Sequence, residues 1–223
     1  MGAILPKSFY ARECLEVAID LLGKQLHHGE VTLRITEVEA YRHPGDSANH
    51  ARFGRTERNA PMWGPPGHAY VYLIYGMHQM LNLVTDRDGE AAAVLIRACE
   101  VVEGLPIVRA RRGNKEGPVL LTGPGKVAAA LGLDRSYSGA TLYRRGGLEV
   151  WNAAPVRELL VGPRVGVDYA EPAHRTAPWR VAIAHTSWVS QRASLAPLTG
   201  SVDAFLAAQR TWTPAIKASK KRP

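Results

Sequence analysis

The chain has 223 residues, of which 46% are hydrophobic and 22% charged, a globular composition that excludes general disorder. Its two cysteines, Cys14 and Cys99, lie far apart and exclude both a disulfide scaffold and a zinc site made of clustered thiolates. Its 28 Lys and Arg residues outnumber its 20 Asp and Glu residues, and the formal charge of +8 favours an anionic partner, nucleic acid first.

The length predicts one domain over residues 1–223, with flexible ends over residues 1–8 and 212–223. The second end contains a short basic tail over residues 217–222, which we expect to be solvated. No charged segment followed by an apolar stretch opens the chain, and the longest apolar run, residues 91–96, is far too short to span a membrane. We therefore expect a cytoplasmic protein that is neither secreted nor bound to a membrane.

The first predicted elements are a helix over residues 11–22, where apolar residues recur at helical spacing, and a strand over residues 31–41. In the strand, alternation places Val31, Leu33 and Ile35 on one face. Continued unbroken, the alternation puts three polar residues on that same face: Glu37, Glu39 and Tyr41. Because burying an unpaired charge is costly, such carboxylates need partners.

The middle of the chain combines a long loop with a predicted hairpin. Residues 42–69 show no helical or strand period, and a loop this long in a globular domain usually has a function. Strands over residues 69–75 and 80–85, with Gly76 near the turn, predict the hairpin. A further strand is predicted over residues 92–99.

The second half of the chain is predicted to mix short strands, turns and helices. Residues 105–115 carry four arginine and lysine residues and form a basic loop or helix end. A glycine turn within residues 121–133 opens a helix. The remaining predicted elements are three strands and a short helix, over residues 148–152, 164–167, 179–184 and 202–209.

Glu39 is the first candidate for catalysis. A carboxylate on a strand, beside Tyr41, could serve as a general base. The alternative is a structural glutamate paired with Arg97 on a neighbouring strand, and residue chemistry alone slightly favours this alternative. Paired carboxylates nevertheless also cluster at active sites.

Three tyrosines lie within six residues of the predicted hairpin. Tyr70 and Tyr72 share a strand face, where aromatic rings more often pack in a core, and Tyr75 lies at the turn. An aromatic ring at a hairpin tip buries little. In a basic protein such a ring could insert into a base stack, while the two inner rings could sandwich a base.

The glycine turn Gly123-Pro124-Gly125-Lys126 is a weaker signal. It resembles the second half of a helix-hairpin-helix DNA-binding element, but a glycine turn before a helix is also ordinary capping. It lacks the further glycine and the Ser or Thr of a P-loop. The sequence also has neither a zinc-deaminase motif, nor H-E-x-x-H, nor a G-x-S-x-G elbow.

Taken together, these segments resemble the alkyladenine (3-methylpurine) DNA glycosylase family, and most closely its shorter bacterial members. The resemblance covers nearly the whole chain except its two ends. The matching segments, in order, are R-I-T-E-V-E-A-Y, a histidine at position 50, R-N-A-P-M-W, P-G-H-A-Y-V-Y-L-I-Y-G-M, L-N-L-V, A-V-L-I-R-A, L-T-G-P-G-K-V-A-A-A-L-G-L, P-R-V-G-V-D-Y and S-W-V-S.

The resemblance assigns expected roles by position. Glu39 matches the general base that activates water, and Arg97 matches an arginine that helps to hold that water. Asn82 matches an asparagine that crowds the 2-amino group of guanine. The residues that enclose the flipped base are matched by Tyr41, His50 and Tyr72.

The hairpin tip is expected to contact DNA. Tyr75 matches the ring that fills the gap left in the duplex, and Met77 is expected to intercalate beside it. The residues after Gly76 depart from the pattern of animal members, which bears on the contacts around Tyr75 and not on the chemistry.

The resemblance implies an α+β domain with a curved, open antiparallel core, flanking helices and a protruding hairpin. It implies a DNA glycosylase of base excision repair that acts as a monomer, without a cofactor or metal, on double-stranded DNA containing alkylated or deaminated purines. The expected substrates are 3-methyladenine, 7-methylguanine, hypoxanthine and ethenoadenine. No lysine occurs between Lys24 and Lys115, and a strand-cutting lyase needs an amine, so we expect base release alone.

Two alternatives remain at this stage. One is a catalytically inert nucleic-acid-binding module on the same fold, which retention of Glu39 and Arg97 disfavours. The other is a helix-hairpin-helix glycosylase, a nearly all-helical fold that the alternating strands disfavour.

Overall fold

The computed structural model describes residues 2–210, in which short helices surround an antiparallel sheet. The helices are α1 (Lys7–Tyr10), α2 (Cys14–Leu21), α3 (Leu105–Arg111), α4 (Pro124–Leu131), α5 (Pro172–Thr176) and α6 (Val202–Arg210). The strands are β1 (Gln25–His28), β2 (Val31–Tyr41), β3 (Ala69–Ile74), β4 (His78–Thr85), β5 (Ala92–Glu103), β6 (Glu149–Trp151), β7 (Leu159–Gly162), β8 (Arg180–Ile183) and β9 (Ala196–Pro197). The end expected over residues 212–223 and its basic tail lie outside the described residues.

The sheet is antiparallel at every strand pair, and its main path runs β3–β4–β5–β2–β8–β7–β9. Strand β1 pairs with β2 and with β6 beside that path. Because the path does not close on itself, the predicted α+β domain with an open antiparallel core is confirmed. The same sheet excludes the nearly all-helical helix-hairpin-helix alternative.

One face of the sheet packs against α2 and α4. The first turn of α2 is capped by Glu13, whose carboxylate accepts hydrogen bonds from the backbone N–H groups of Leu15 and Glu16. The buried residues of both helices join alternate residues of β2, β4 and β5 in the largest apolar cluster. Each fully buried leucine or isoleucine contributes about 1.5–3 kcal/mol, so this face stabilises the fold.

A β-bulge in β2 reverses the alternation of its side chains. Ile35 pairs with Cys99 of β5, whereas Glu37 pairs with Ala98, so Thr36 is an extra residue in β2. Such an insertion transfers every later side chain to the other face of the sheet.

This bulge corrects the predicted face of Glu37, Glu39 and Tyr41. Leu33 and Ile35 lie in the apolar core before the bulge, and after it the core residues are Val38 and Ala40. The prediction that the two glutamates and Tyr41 share the face of Val31, Leu33 and Ile35 was wrong, because it continued the alternation through Thr36. They lie on the opposite face.

Strand β5 carries a second irregularity next to the first. Glu37 pairs with Ala98 while Val38 pairs with Ile96, so Arg97 is an extra residue on β5. Ile96 lies in the apolar core and Arg97 does not. The paired irregularities therefore bring Arg97 to the same face as the two glutamates.

The predicted loop, residues 42–68 in the structure, packs on this second face and contains one short 3-10 turn, Ala60–Trp63. Its Ala51 and Met62 side chains join Tyr70 of β3 in a separate apolar cluster. The segment therefore covers the face of the sheet that carries Glu37, Glu39 and Arg97.

Several elements differ between the sequence-based prediction and the structure. No strand covers residues 164–167; the nearest strand is β7, and Gly166 has a φ of 74°, which interrupts extended backbone. Strand β1 was not predicted, because its short sequence Q-L-H-H has no apolar alternation. Helices α1 and α5 and strands β7 and β9 were not predicted either. The other predicted elements are present, β2 with the predicted bounds and the rest with shifted bounds, and the basic residues 105–115 begin with helix α3.

The N-terminal stretch expected as a flexible end contacts the sheet. Ile4 pairs with Trp151, the Leu5 N–H donates to the Val150 carbonyl at 2.8 Å, and the Leu5 side chain is buried. Across residues 2–210, no helix is both long and apolar enough to cross a membrane.

Candidate active site

A cavity of about 290 Å³ opens on the second face of the sheet, beside the β3–β4 hairpin. Its wall contains six residues that the sequence predicted for the site: Tyr41, His50, Tyr72, Tyr75, Asn82 and Arg97. The two other predicted residues lie outside the wall. Glu39 lies directly behind it, and Met77 lies at the hairpin tip.

Glu39 is fully buried, and its carboxylate is bound by three groups that belong to the cavity wall. Its Oε1 accepts a hydrogen bond from the Val165 N–H at 2.8 Å and lies 3.2 Å from Nη1 of Arg97. Its Oε2 accepts a hydrogen bond from the Tyr41 hydroxyl at 2.8 Å. The carboxylate is therefore fixed in place, one side chain away from the cavity.

Glu37 lies deeper and binds four groups. Its Oε1 accepts from Arg97 Nε at 3.1 Å, Arg180 Nη1 at 3.1 Å and Ser190 Oγ at 2.9 Å. Its Oε2 accepts from the Ser190 N–H at 2.6 Å. Glu37 does not reach the cavity wall, so its contacts fit a residue that positions Arg97.

Arg97 joins the two glutamates. Its side chain is 7% exposed, with Nε on Glu37, Nη1 on Glu39 and Nη2 donating to Ser190 Oγ at 3.2 Å. Burial acts to lower the pKa of Arg97, but the charges of Glu39 and Glu37 outweigh it and raise that pKa. Two carboxylates and the guanidinium groups of Arg97 and Arg180 thus balance each other's charges in the buried network.

Tyr41 completes the immediate surroundings of Glu39. Burial, and next the charge of Glu39, raise the pKa of Tyr41 well above its ordinary value, so its hydroxyl stays protonated and donates. The Arg164 guanidinium lies over the Tyr41 ring, 4.6 Å from its centroid. Arg164 also forms a two-point ion pair with buried Asp46, at 2.5 and 2.8 Å, which ties the segment containing Val165 to residues beyond the end of β2.

An aromatic wall faces this group. Tyr70 and Tyr72 share one face of β3, as predicted, with ring centroids 5.3 Å apart. The His50 ring contacts Tyr72 edge to face at 4.6 Å, and its Nδ1 lies 3.3 Å from the Tyr70 hydroxyl. Burial, with Arg58 and Arg52 adding to it, lowers the pKa of His50 to about 4, so this ring is neutral at pH 7. A neutral aromatic wall suits a planar cationic ligand.

Asn82 lies on β4 directly opposite Tyr70 and is buried. Its amide nitrogen donates to the Tyr70 carbonyl at 3.1 Å and to the Met80 carbonyl at 3.4 Å. These bonds fix the side chain in the cavity wall.

The hairpin tip projects from the sheet as predicted. Tyr75 and Gly76 both have positive φ, 52° and 67°, and the Met77 N–H donates to the Ile74 carbonyl at 3.2 Å, which closes a tight turn. The Tyr75 and Met77 side chains are 82% and 70% exposed. Tyr75 lines the cavity from this tip, so one ring belongs both to the cavity wall and to the protruding surface.

Val165 and Tyr169 are among the contributors that were not predicted individually. The Val165 N–H is a backbone donor, which residue type cannot reveal. Tyr169 lines the cavity and its hydroxyl donates to the Ala48 carbonyl at 2.8 Å. Both lie within P-R-V-G-V-D-Y, a segment that the resemblance matched without giving any of its residues a role. In residues 2–210, no three His, Cys, Asp or Glu side chains are grouped so as to hold a metal ion.

Comparison with known proteins matches this arrangement to one family. The family model described as methylpurine-DNA glycosylase matches residues 8–187. A Nitrosococcus oceani protein, provisionally named 3-methyladenine DNA glycosylase, is 61% identical over 197 residues, which cover 88% of this chain and 98% of that protein. The DNA-3-methyladenine glycosylase of Arabidopsis thaliana is 54% identical over 189 residues, covering 84% of this chain and 74% of that protein. The chain belongs to the methylpurine-DNA glycosylase family.

Proposed function

We propose that this DNA glycosylase flips alkylated or deaminated purines out of duplex DNA and hydrolyses the N-glycosidic bond, with Glu39 as the general base. The observation that carries the proposal is the position of Glu39, fixed behind the cavity by Arg97, Tyr41 and the Val165 N–H. A base inside the stack cannot be attacked, so the nucleotide has to leave the helix, which costs least at damaged or mispaired bases. The pairing of Glu39 with Arg97 also fits the structural alternative, and the activity assay below decides between the two.

The Glu39 carboxylate has one acceptor position to spare. A carboxylate offers about four acceptor positions, and the described protein groups use two on Oε1 and one on Oε2. Water would bind at the second position of Oε2. Because Glu39 is fully buried, this requires the Tyr41 hydroxyl or the segment around Val165 to move when the nucleotide enters.

The reaction then balances simply. Oε2 of Glu39 takes a proton from the water, the water oxygen bonds to the anomeric carbon, and the bond from that carbon to the purine nitrogen breaks. The carboxylate charge stabilises the cationic sugar that develops as the purine leaves. A 3-methyladenine or 7-methylguanine base carries positive charge in the nucleotide and leaves as a neutral molecule. Hypoxanthine and ethenoadenine leave as anions and take up the proton that Glu39 removed from the water, so that one water is divided between sugar and base.

The aromatic wall provides the affinity for the flipped base. Tyr72, Tyr41 and His50 present rings to the cavity, and a cationic purine stacks more strongly on such rings than a neutral one. Asn82 would oppose the 2-amino group of guanine by steric collision. The substrates we propose are 3-methyladenine, 7-methylguanine, hypoxanthine and ethenoadenine.

We propose base release without strand cleavage. A lyase requires an amine that forms a Schiff base with the sugar, and among the described residues that line the cavity there is no lysine. Lys24 donates to the Ala153 carbonyl at 2.5 Å, away from the wall. We also propose that the protein acts as a monomer on DNA in the cytoplasm.

Single-turnover incubation with duplexes that carry each of the four bases tests the proposal. Free base and an alkali-sensitive abasic strand are the expected products, with no strand break before alkali and no borohydride-trapped adduct. DNA binding without release of any of these bases would instead support the inert binding module.

A further inference from the structure

Several exposed large apolar side chains of residues 2–210 lie in or beside the cavity wall. The four most exposed large apolar side chains are Phe53, Tyr75, Met77 and Tyr169, at 89%, 82%, 70% and 56%. Tyr75 and Tyr169 line the cavity, and Met77 is next to Tyr75 on the hairpin tip. Phe53, the most exposed of the four, lies in a different segment, and neither the chemistry nor the hairpin accounts for it.

Phe53 is connected to the cavity wall through Arg52. The Arg52 guanidinium carbon lies 4.6 Å from the centroid of the Phe53 ring and 4.8 Å from that of Tyr169. Nη1 of Arg52 donates to the Asn49 carbonyl at 3.3 Å. We call this group the Tyr169–Arg52–Phe53 stack. It leads from the cavity wall to solvent.

The surroundings of the stack are basic. Residues 51–58 contain three arginines and one glutamate, all exposed: Arg52, Arg55, Arg58 and Glu57. Arg58 Nη2 donates to the Leu73 carbonyl of β3 at 3.1 Å, so this segment is attached to the hairpin that carries Tyr75. Positive charge beside an exposed aromatic ring is the combination that binds a nucleic acid strand.

We propose that Phe53 and Arg52 form a second DNA-contacting element, in addition to the hairpin tip. The Phe53 ring stacks on a base next to the flipped nucleotide, and Arg52 contacts the adjoining phosphate. Arg52 is already held by two rings and a carbonyl, so its ordering on binding costs little conformational entropy. The inference rests on the proposed function, because it takes a duplex with a flipped nucleotide as the ligand.

Binding to a duplex that contains a tetrahydrofuran abasic site, followed by fluorescence anisotropy, tests this inference without chemistry. Phe53→Ala should weaken binding about tenfold, while Phe53→Trp should stay within about twofold of the wild-type protein. Arg52→Gln should lower the slope of log affinity against log salt by about 0.9. Val102→Ala, which truncates an exposed apolar residue on β5, is the matched control and should leave affinity unchanged.

A 2-aminopurine placed on either side of the abasic site locates the contact. Quenching by the wild-type protein should be lost in Phe53→Ala at one of the two positions. Unchanged affinity and quenching in Phe53→Ala would overturn the inference. So would a change in the oligomeric state of free Phe53→Ala in sedimentation velocity, because the ring would then contact another protein copy.

These measurements separate the inference from the proposed function. Single-turnover release of hypoxanthine by the wild-type protein is measured in parallel, with Val102→Ala as the control that should keep the wild-type rate. A wild-type protein that binds the abasic duplex and releases no base would refute the proposed function. The effect of Phe53 on binding would still be measurable in that case.

Discussion

Nη1 of Arg97 lies 3.2 Å from Oε1 of Glu39, and both side chains are almost completely withdrawn from water. The same guanidinium contacts Glu37 through Nε. Arg97 therefore connects a carboxylate at the cavity to one deeper in the fold. Substitution of either glutamate should therefore lower stability, and only substitution of Glu39 should also remove the chemistry.

Glu39→Gln should abolish base release and keep affinity for damaged duplex. The amide keeps the shape of the side chain but cannot accept the water proton, and a positioned general base contributes about 10²–10⁴-fold. Single-turnover release of hypoxanthine measures the loss, with Glu158→Gln on the surface as the control. A Glu39→Gln rate near that of the wild-type protein would move the base elsewhere, with Glu37 tested first despite its four protein contacts.

Glu37→Gln should destabilise the fold. It leaves Arg97 and Arg180 with one carboxylate between them, and removal of one member of a buried ion pair costs about 3–5 kcal/mol. Urea denaturation measures the free energy of unfolding. The control is Glu100→Gln, which breaks a partly exposed pair with Arg34 worth about 1 kcal/mol or less. Equal losses in the two variants would mean that Glu37 is not the anchor of Arg97.

Asn82→Ala should widen the choice of base to purines with a 2-amino group, because a smaller side chain removes the collision. It also removes the bonds to the Tyr70 and Met80 carbonyls, so the free energy of unfolding should fall by about 1–2 kcal/mol. Release of undamaged guanine and urea denaturation are measured together. Lower stability with unchanged exclusion of guanine would make Asn82 a structural residue only.

Tyr75→Ala should weaken base flipping and leave the melting temperature nearly unchanged. The ring is 82% exposed, so its loss removes little packing, whereas stacking on DNA is worth about 1–3 kcal/mol. Fluorescence of 2-aminopurine beside the lesion measures flipping. Tyr70→Ala is the contrasting variant, because it truncates a fully buried ring and should cost about 3–5 kcal/mol. A large drop in melting temperature for Tyr75→Ala, with flipping intact, would contradict the wedge role.

Protonation of His50 should lower the free energy of unfolding of the protein in mild acid. Burial lowers the pKa of His50 to about 4 in the folded state, from the ordinary 6.5 of an unfolded chain. The unfolded state therefore binds more protons below pH 6.5, and the stability present above that pH is lost as the pH falls towards 4.

Comparison with His50→Gln isolates this contribution. Between pH 7 and 5 the wild-type protein should lose about 2 kcal/mol more than the variant, since each proton is worth about 1.4 kcal/mol per pH unit. Urea denaturation at both pH values measures the difference. Equal losses for the two proteins would show that His50 is protonated as easily when folded as when unfolded.

Much of the fold could be predicted because most elements carry a local pattern. The alternation around Tyr70 and Tyr72, with Gly76 after Tyr75, predicted the hairpin and its exposed tip. The same reasoning failed over residues 164–167, where V-G-V alternates like a strand, but Gly166 adopts a positive φ and buried Asp46 holds Arg164. Ion pairs between distant segments leave no local periodicity.

The candidate site was predicted less completely for a similar reason. Residue chemistry suggested Glu39 and the tyrosines as candidates, and the family resemblance gave them and Arg97 their expected roles. The Val165 N–H and the contact between Arg52 and Tyr169 depend on a segment more than a hundred residues away in sequence. The face on which Glu39 lies depends on the β-bulge at Thr36, and the alternation of apolar residues in the sequence does not reveal the position of that bulge.

The extra residue Thr36 determines which side chains of β2 face the helices and which face the cavity. Odd-numbered residues face the helices before Thr36, and even-numbered residues face them after it. Deleting Thr36 would not merely shorten the strand; it would return Glu37, Glu39 and Tyr41 to the helix side and turn Val38 and Ala40 towards the cavity. Thr36 thus determines both which β2 residues enter the apolar core and which ones reach the polar site. A reading-frame-preserving loss of this one codon would therefore remove folding and catalysis together, although Thr36 itself does not line the cavity.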